Sequence, residues 1–517
     1  MRILYCGIAS KFIHTMPAGW FLCQSLKSKG FEDVYEIYRN INEPFNEVIK
    51  EIISYEPDYL LLSVYVFNAI YVKRLIAETR RLLPECVIIA GGPEADETFD
   101  AHHIVTGEGE EALYTLITEG GGKVTYAKPV EDLDSIPSPY TPERLEASRN
   151  KLIYYEASRG CPFKCSYCMA GLSQGVRYFG SDRVKKDLVN IVNGGAQIIK
   201  FTDRTFNADA RRANEILSFI LETFGDNPDV CFHFEVGADL FTESTLELLS
   251  RMPKGLIQLE AGIQSLNPLS LKAVNRSANT RKLIKNIQKI LGYGNIHLHL
   301  DLIAGLPHET LDSFKEGFGA VYALKPHKLQ LGFLKFLKYT PIREFAGAVY
   351  GSEPPYEVIS TPTLSQAALA ELKSVEKVFE RLYNSGRFFY TLEYLSTTES
   401  SPYNLYLSLA EHLLPIKDNS DYGIQKALLS YKGGLPHIKE TLRLDYLLCN
   451  PINKIPKILK REYSAEFKSF VKELKPDSLI GYEEFAFLPD KGEGRFIARF
   501  DYRNRDRVTG RYAFEVI

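Results

Sequence analysis

The chain has 517 residues, 45% of them apolar and 25% charged, with a formal net charge of −3. Its length suits about three domains of ordinary size, and so even a charge balance gives no support to a nucleic-acid coat or a membrane surface. No apolar run reaches the roughly 18 residues that a membrane span needs. The start, Met1-Arg-Ile-Leu-Tyr-Cys6, lacks the apolar stretch and cleavage site of a secretory signal and reads as a first buried strand. Eight cysteines, three clustered and the others scattered, do not make a secreted disulfide framework. A reducing cytoplasm is expected.

From Met1 to about residue 121 short apolar strands alternate with amphipathic helices. Strands are expected at 3–6, 35–39, 58–66, 87–90 and 104–106, with helices at 20–29, 46–55 and 71–83 and a last one after 111. This alternation predicts a parallel sheet covered on both faces, a doubly wound Rossmann-like domain over 1–125. Such sheets take ligands beyond the carboxyl ends of their strands. There the chain keeps Ser63, Gly91, Gly92, Gly107 and Gly109, small residues that let a backbone approach a large ligand. A Gly-Gly-Pro turn alone is an ordinary turn.

The stretches Ser63-Val-Tyr-Val-Phe-Asn68, Ile88-Ile-Ala-Gly-Gly-Pro-Glu94 and Val105-Thr-Gly-Glu-Gly-Glu110 resemble the cobalamin-binding domain that precedes many radical S-adenosylmethionine (SAM) cores. The resemblance implies cobalamin contacts from Ser63, Val64, Tyr65, Gly91, Gly92, Pro93, Gly107, Glu108, Gly109 and Glu110. The Asp-x-His-x-x-Gly motif that supplies a lower axial histidine in many cobalamin proteins is missing. Only His14, in Phe12-x-His14-x-x-Pro17, falls in the comparable loop. It reads as a structural hydrogen-bonder or as a cobalt ligand. Without a protein ligand, five-coordinate methylcobalamin would be favoured.

Residues 126–150 are expected as a linker, where Val130-Glu-Asp-Leu-Asp-Ser-Ile-Pro-Ser-Pro-Tyr140 has the proline spacing of an extended strap. Over 151–346 six strands are expected, at 152–157, 197–203, 231–236, 256–261, 296–304 and 328–336, with helices such as 208–224 and 310–324 between them. They make a partial (β/α)6 barrel, whose active residues project from the carboxyl ends of the strands. Directly after the first strand comes Arg159-Gly-Cys-Pro-Phe-Lys-Cys-Ser-Tyr-Cys-Met169, a C-x3-C-x2-C run of Cys161, Cys165 and Cys168. Three thiolates at this spacing suit three irons of a 4Fe–4S cluster and leave the fourth iron open. On spacing alone a zinc site and three unrelated core cysteines remain alternatives.

With the aromatic Tyr167 before its last cysteine, the run resembles the C-x3-C-x-aromatic-C signature of radical SAM enzymes. Gly262-Ile-Gln-Ser265, Asn275-Arg276 and Gly305-Leu-Pro-x-Glu-Thr310 are similar to that family's SAM-contacting segments, in the family's order. The resemblance implies a cluster on Cys161, Cys165 and Cys168, and SAM contacts from Tyr167, Asp203, Glu235, Gln264, Ser265, Arg276, Ile303 and Leu306. Asp203 would take the α-amino group, Glu235 the ribose hydroxyls and Arg276 the carboxylate. Ile303 and Leu306 lie on the edge where adenine would rest. The family's Gly-Gly-Glu segment is replaced here by Phe201-Thr-Asp-Arg-Thr-Phe206.

Residues 347–517 carry no recognisable catalytic motif. A mainly α domain is expected, with helices at 366–384 and 402–414 and a terminal hairpin of 495–502 and 511–517; it is a candidate substrate domain. Arg503, Arg505 and Arg507 read as a solvated face or as a contact for an anionic substrate. This extension and Ser10-Lys-Phe-Ile-His-Thr15 resemble a radical SAM subgroup with an uncharacterised C-terminal extension. The resemblance implies an anaerobic, cobalamin-dependent enzyme that cleaves SAM to a 5′-deoxyadenosyl radical and methylates an unactivated carbon through methylcobalamin. The alternatives are a non-methylating rearrangement, cyclisation or oxidation, and a cobalamin or redox sensor without turnover. The expected partners are SAM, a substrate and a low-potential donor of flavodoxin or ferredoxin type, and the chain is expected to be a monomer.

Overall fold

Seven consecutive residues, Ile3–Ala9, form strand β1, and every one of them is buried. A strand covered on both faces needs apolar side chains at every position, not at alternate ones. Leu4, Cys6 and Ile8 enter one hydrophobic cluster, and Ile3 and Tyr5 enter the other. The computed structural model describes residues 1–474 and 477–517. After β1 the chain winds through α1 (Pro17–Ser28), β2 (Val34–Asn40), α2 (Phe45–Tyr55), β3 (Tyr59–Ser63), α3 (Ala69–Leu82), β4 (Val87–Gly91), β5 (His103–Thr106), α4 (Gly109–Glu119) and β6 (Val124–Tyr126). All neighbouring strands are parallel, in the order β2-β1-β3-β4-β5-β6. The winding reverses between β1 and β3, so the ligand crevice of such a sheet opens beyond their carboxyl ends. This is the expected doubly wound domain. β6 extends it into residues that read as linker, because three residues are too few to show a period.

The chain continues through α5 (Pro142–Ala147), β7 (Ile153–Tyr155), β8 (Ser158–Cys161), β9 (Gly175–Tyr178), α6 (Ser181–Asn193), β10 (Ile198–Phe201), α7 (Ala210–Phe224), β11 (Cys231–Val236), α8 (Glu243–Ser250) and β12 (Ile257–Gln264). Then come α9 (Pro268–Ala273), α10 (Thr280–Tyr293), β13 (His297–Ala304), α11 (Leu311–Tyr322) and β14 (Lys328–Phe333). The six barrel strands expected from the sequence are β7, β10, β11, β12, β13 and β14. Helix starts follow local chemistry: Asp209, Thr242 and Thr310 each accept an amide N–H of the first turn, a cap worth about 1 kcal/mol. α7 buries Ala213, Ile216, Leu217, Ile220 and Phe224 on one stripe.

β12 runs to Gln264, beyond its expected end at Ala261, because its alternation of buried and half-buried residues continues through Ile263. β14 stops at Phe333, and Lys335 instead bridges to Glu357. The chain forms two compact units. One comprises Met1–Glu260, Lys272–Asn286 and Leu334–Ile359; the other comprises Ala261–Leu271, Ile287–Phe333 and Ser360–Ile517. In the first, β7, β10 and β11 pair in parallel. In the second, β13 and β14 do the same.

After the short strands β15 (Val349–Tyr350) and β16 (Val358–Ser360) come the helices α12 (Gln366–Leu382), α13 (Phe389–Ser396), α14 (Pro402–Leu413), α15 (Asp421–Ser430), α16 (Ile438–Cys449) and α17 (Ala465–Leu474). The chain ends in an antiparallel sheet of β17 (Ile480–Leu488), β18 (Gly492–Arg505) and β19 (Tyr512–Val516). β18 and β19 are the expected hairpin. β17 is not signalled by the sequence, since Glu483 and Glu484 interrupt its apolar pattern. Both are buried, and Arg443, itself fully buried, pairs with Glu483 at 2.5 Å. Among the described residues no helix is long and apolar enough to cross a membrane.

Candidate functional site

The loop that carries Cys161, Cys165 and Cys168 belongs to the first unit and is wound by its own backbone. Cys168 N–H donates to Cys165 O at 3.1 Å, Gly171 N–H donates to Cys168 O at 3.0 Å, and Cys161 N–H donates to Ser173 Oγ at 3.0 Å. Glycine is required on both sides. Gly160 has φ +101°, and a Cβ there would lie 2.2 Å from Gly175 O; a Cβ on Gly171 would lie 2.7 Å from Cys165 O. All three cysteines are free thiols, two buried and Cys168 partly exposed. Unbridged sulfurs on a tightly wound loop fit a cluster held by three thiolates.

Two further backbone bonds pin the loop. Ser166 N–H donates to Val274 O, and Ile342 N–H donates to Ser166 O, both at 3.0 Å. The first brings Arg276 alongside, with its Nη1 3.9 Å from Cys165 Sγ. Burial works against the Arg276 charge, but Tyr167 and Cys165 face it and hold it charged. Burial also lifts the Tyr167 phenol above its ordinary value. Thr205 Oγ1 lies 3.6 Å from Cys161 Sγ.

Asp203, beyond the end of β10, is buried and accepts from Ala157 N–H at 3.0 Å and from the Ser158 hydroxyl. Burial raises its pKa to about 6. Glu235, on β11, lies 3.8 Å from Arg204. Glu260 Oε2 accepts from Lys200 at 2.9 Å and lies 3.1 Å from His233 Nε2. In the second unit Gln264 closes β12 at φ +69°, and its buried Oε1 has no hydrogen-bond partner among the described residues. A buried orphan acceptor of this kind fits a ligand donor. Ser265 donates to Glu309 and accepts Asn267 N–H at 3.0 Å. On β13 and the turn after it, Ile303 is half-buried and Leu306 fully buried.

In the N-terminal sheet, Ser63, Gly91, Gly92, Gly107 and Gly109 line a cavity of about 80 Å³ at the strand ends. Gly92 (φ +106°) and Gly107 (φ +109°) are held close to other backbone: a Cβ would meet Val64 O at 2.7 Å and Ala127 O at 2.4 Å, respectively. Ser63 Oγ accepts from Tyr5 OH at 2.9 Å, and Val64 N–H donates to Gly91 O at 2.7 Å. Tyr65 N–H donates to Asn68 Oδ1 at 2.7 Å, and its ring stacks on Phe67. Pro93 is exposed. His14 Nδ1 is hydrogen-bonded to Tyr154 OH at 2.9 Å, and the two rings stack. Burial and Lys11 lower its pKa.

Glu108 and Glu110, expected as cobalamin contacts, are joined to the cysteine loop by arginines that the sequence did not single out. Arg159, on β8, reaches Glu108 at 3.0 Å, Glu110 at 2.6 Å and Glu156 at 3.0 Å. Arg177, on β9, also pairs with Glu108. Burial would raise Glu108, but Arg177, the Val130 amide and Arg159 bring it below its ordinary value. Burial lifts Glu156 to about 7. Glu108, Arg159, Met169, Arg177 and Arg204 border one cavity of about 490 Å³. For Arg159 and Glu156 the sequence signal was their position just ahead of Cys161.

Three family models match the chain: B12 binding domain over 7–117, Radical SAM superfamily over 155–318, and a protein family of unknown function, DUF4080, over 344–485. The chain is 26% identical over 331 residues to the 2-(S-pantetheinyl)-carbapenam-3-carboxylate methyltransferase of Streptantibioticus cattleyicolor, covering 53% of this chain and 46% of that protein. It is 25% identical over 322 residues to the cobalamin-dependent radical SAM methyltransferase TokK of Streptomyces tokunonensis, with the same two coverages. The chain thus spans about half the length of these curated relatives. The cobalamin-dependent S-adenosylmethionine radical enzyme OxsB, solved with aqua-cobalamin bound, superposes with a TM-score of 0.59 over 91% of this chain and 83% of that one. At 15% identity this likeness is one of fold. The B12 match ends ahead of the cysteine loop and the DUF4080 match begins beyond the last barrel strand, so the chain carries a B12 binding domain, a radical SAM domain and a DUF4080 domain, in that order.

Proposed function

We propose that this chain is a cobalamin-dependent radical SAM enzyme that transfers a methyl group to an unactivated substrate carbon. One observation carries the reading: the Arg159 guanidinium ties the cysteine loop to Glu108 and Glu110 of the glycine loop, and both loops border one cavity of about 490 Å³. When bound, a 4Fe–4S cluster supplies reductive cleavage of SAM, and cobalamin supplies a transferable methyl group. Cys161, Cys165 and Cys168 would hold the cluster. Gly91, Gly92, Gly107 and Gly109 would admit cobalamin. Arg276, charged and buried beside Cys165, would take the SAM carboxylate. Asp203 has its oxygens on Ala157 and Ser158, so we assign it the positioning of the strand that opens the cysteine loop. Tyr154 OH is bonded to His14 Nδ1, and we assign His14 this structural hydrogen bond. Methyl transfer rests on the two methyltransferases among the relatives. The eight free cysteines suit a reducing cytoplasm and a low-potential flavodoxin- or ferredoxin-type donor.

The test is anaerobic reconstitution with iron, sulfide and cobalamin, followed by assay of 5′-deoxyadenosine release from SAM under reductant. About four irons and one cobalamin per chain are expected, with a labelled SAM methyl found on product. Alanine at Cys161, Cys165 and Cys168 together should abolish iron and SAM cleavage. Arg276→Ala should keep iron but weaken SAM binding roughly 10- to 100-fold, the effect of losing one charged hydrogen bond. Four irons in the triple variant would defeat the cluster assignment, and a cluster without cobalamin would defeat methyl transfer.

A further inference from the structure

The second unit holds a cavity of about 400 Å³ that shares no residue with the cavity at the cysteine loop. It opens at the amino ends of β13 and β14, the ends opposite Ile303 and Leu306 on the same stretch of barrel. Its walls come from the ends of α11 and α12, from α13 and from the turn between β18 and β19. A volume of this size is ordinary for a small-molecule site.

Its chemistry is specific. Tyr322, Tyr383 and Phe389 give it aromatic walls, and hydrogen bonding of Tyr383 OH to Pro326 O fixes one of them. His297 and His327 add two rings 5.1 Å apart. Leu298 N–H donates to His327 Nδ1 at 3.1 Å, which fixes that ring in the wall. Arg511 lies over Phe389, 4.3 Å from the ring centroid, and its Nε donates to Gly386 O at 3.2 Å. That bond and the stacking hold the guanidinium plane still.

The charges do not balance. Lys325 is neutralised by Glu393 at 2.9 Å. Asp445, whose charge Arg511 feels, has its oxygens on the amides of Tyr390 and Thr391 at 2.9 and 2.8 Å. Arg511 makes no ion pair among the described residues. A stacked guanidinium without a carboxylate partner among the described residues, set among aromatic walls, selects a flat ring that carries a negative group. We propose that this cavity binds a planar organic anion, a ring-bearing carboxylate or phosphate, with Arg511 on the anionic group and Tyr322, Tyr383 and Phe389 against the ring.

The probes are 2-naphthoate and 1-naphthyl phosphate, both planar and fluorescent, titrated into the full chain with 2-naphthol as the uncharged control. Saturable binding of one molecule per chain is expected for at least one anion, at least about 10-fold tighter than for the naphthol. The preferred anion identifies the head group. Arg511→Met should weaken anion binding about 10-fold or more. Thr509→Trp, on the exposed turn that lines the cavity, should block binding by filling it, and it carries the test if the arginine variant melts early. Absence of saturable binding below about 1 mM, a weak-binding limit for such a site, overturns the proposal. So does equal affinity for the naphthol, or unchanged binding in a folded Thr509→Trp variant.

Discussion

Asp203 has the environment of a structural carboxylate. It is 3% exposed and its partners are an amide and a hydroxyl, with no cation bonded to it among the described residues. Burial raises its pKa from 3.8 to about 6. The unfolded chain therefore releases this proton near pH 4, while the folded chain keeps it to about pH 6. Between those values the folded state binds the extra proton, so the stabilising contribution is complete below about pH 4 and is lost as pH rises through 6. Two pH units correspond to roughly 3 kcal/mol. Asp203→Asn removes the titration and keeps an acceptor for the Ala157 amide. Urea midpoints measured from pH 4 to 7 should fall more steeply for the natural chain than for the variant. Parallel curves would mean that Asp203 titrates as it does in water. Motif spacing made the three cysteines legible because the chain itself fixes their separation, whereas Arg276 was named from the likeness of Asn275-Arg276 to a family segment. Glu108 and Arg159 were not legible as a pair, since their contact spans 51 residues and isolated charges carry no period.

Strands covered on both faces announce themselves as apolar runs, so β1, β3 and β4 were readable within a few residues. β17 was hidden because its two buried glutamates pass for a surface turn until Arg443 is seen beside them. The glycine loops were readable as loops, but not the reason for their glycines. Gly107 and Gly120 both have positive φ; a Cβ on Gly107 would meet Ala127 O at 2.4 Å, whereas one on Gly120 meets nothing within 4 Å. Gly120, at φ +75° and ψ −174°, sits in a backbone region that side chains avoid, so Gly120→Ala should cost only that strain, roughly 1–3 kcal/mol. Gly107→Ala must also displace backbone and carry Glu108 away from Arg159, so it should lower the melting temperature several degrees further and weaken cobalamin binding. Equal melting shifts in the two variants would show that the close approach to Ala127 relaxes at no cost.

Compactness in space does not follow the order of the sequence. Residues 334–359 come after the last barrel strand yet belong with the first unit. Glu94, directly after Gly91-Gly92-Pro93, is 3% exposed. Tyr356 OH donates to its Oε2 at 2.9 Å across 262 residues, and Lys338 Nζ approaches the same oxygen at 3.5 Å while bonding Asp96. No periodicity reports a contact of that range, and the spread of proline and glycine through this stretch reads as loop. A buried carboxylate with two partners makes the segment a strap over the glycine turn, and its two fastenings should be interdependent. Tyr356→Phe and Lys338→Met should each cost about 1–3 kcal/mol, the usual effect of stripping one partner from a buried acceptor. Because both act on Glu94, the double variant should depart from the sum by about 0.5–3 kcal/mol, read from urea midpoints of the four proteins. Strict additivity would mean that the two partners act on Glu94 independently of each other and that the strap is not closed through it.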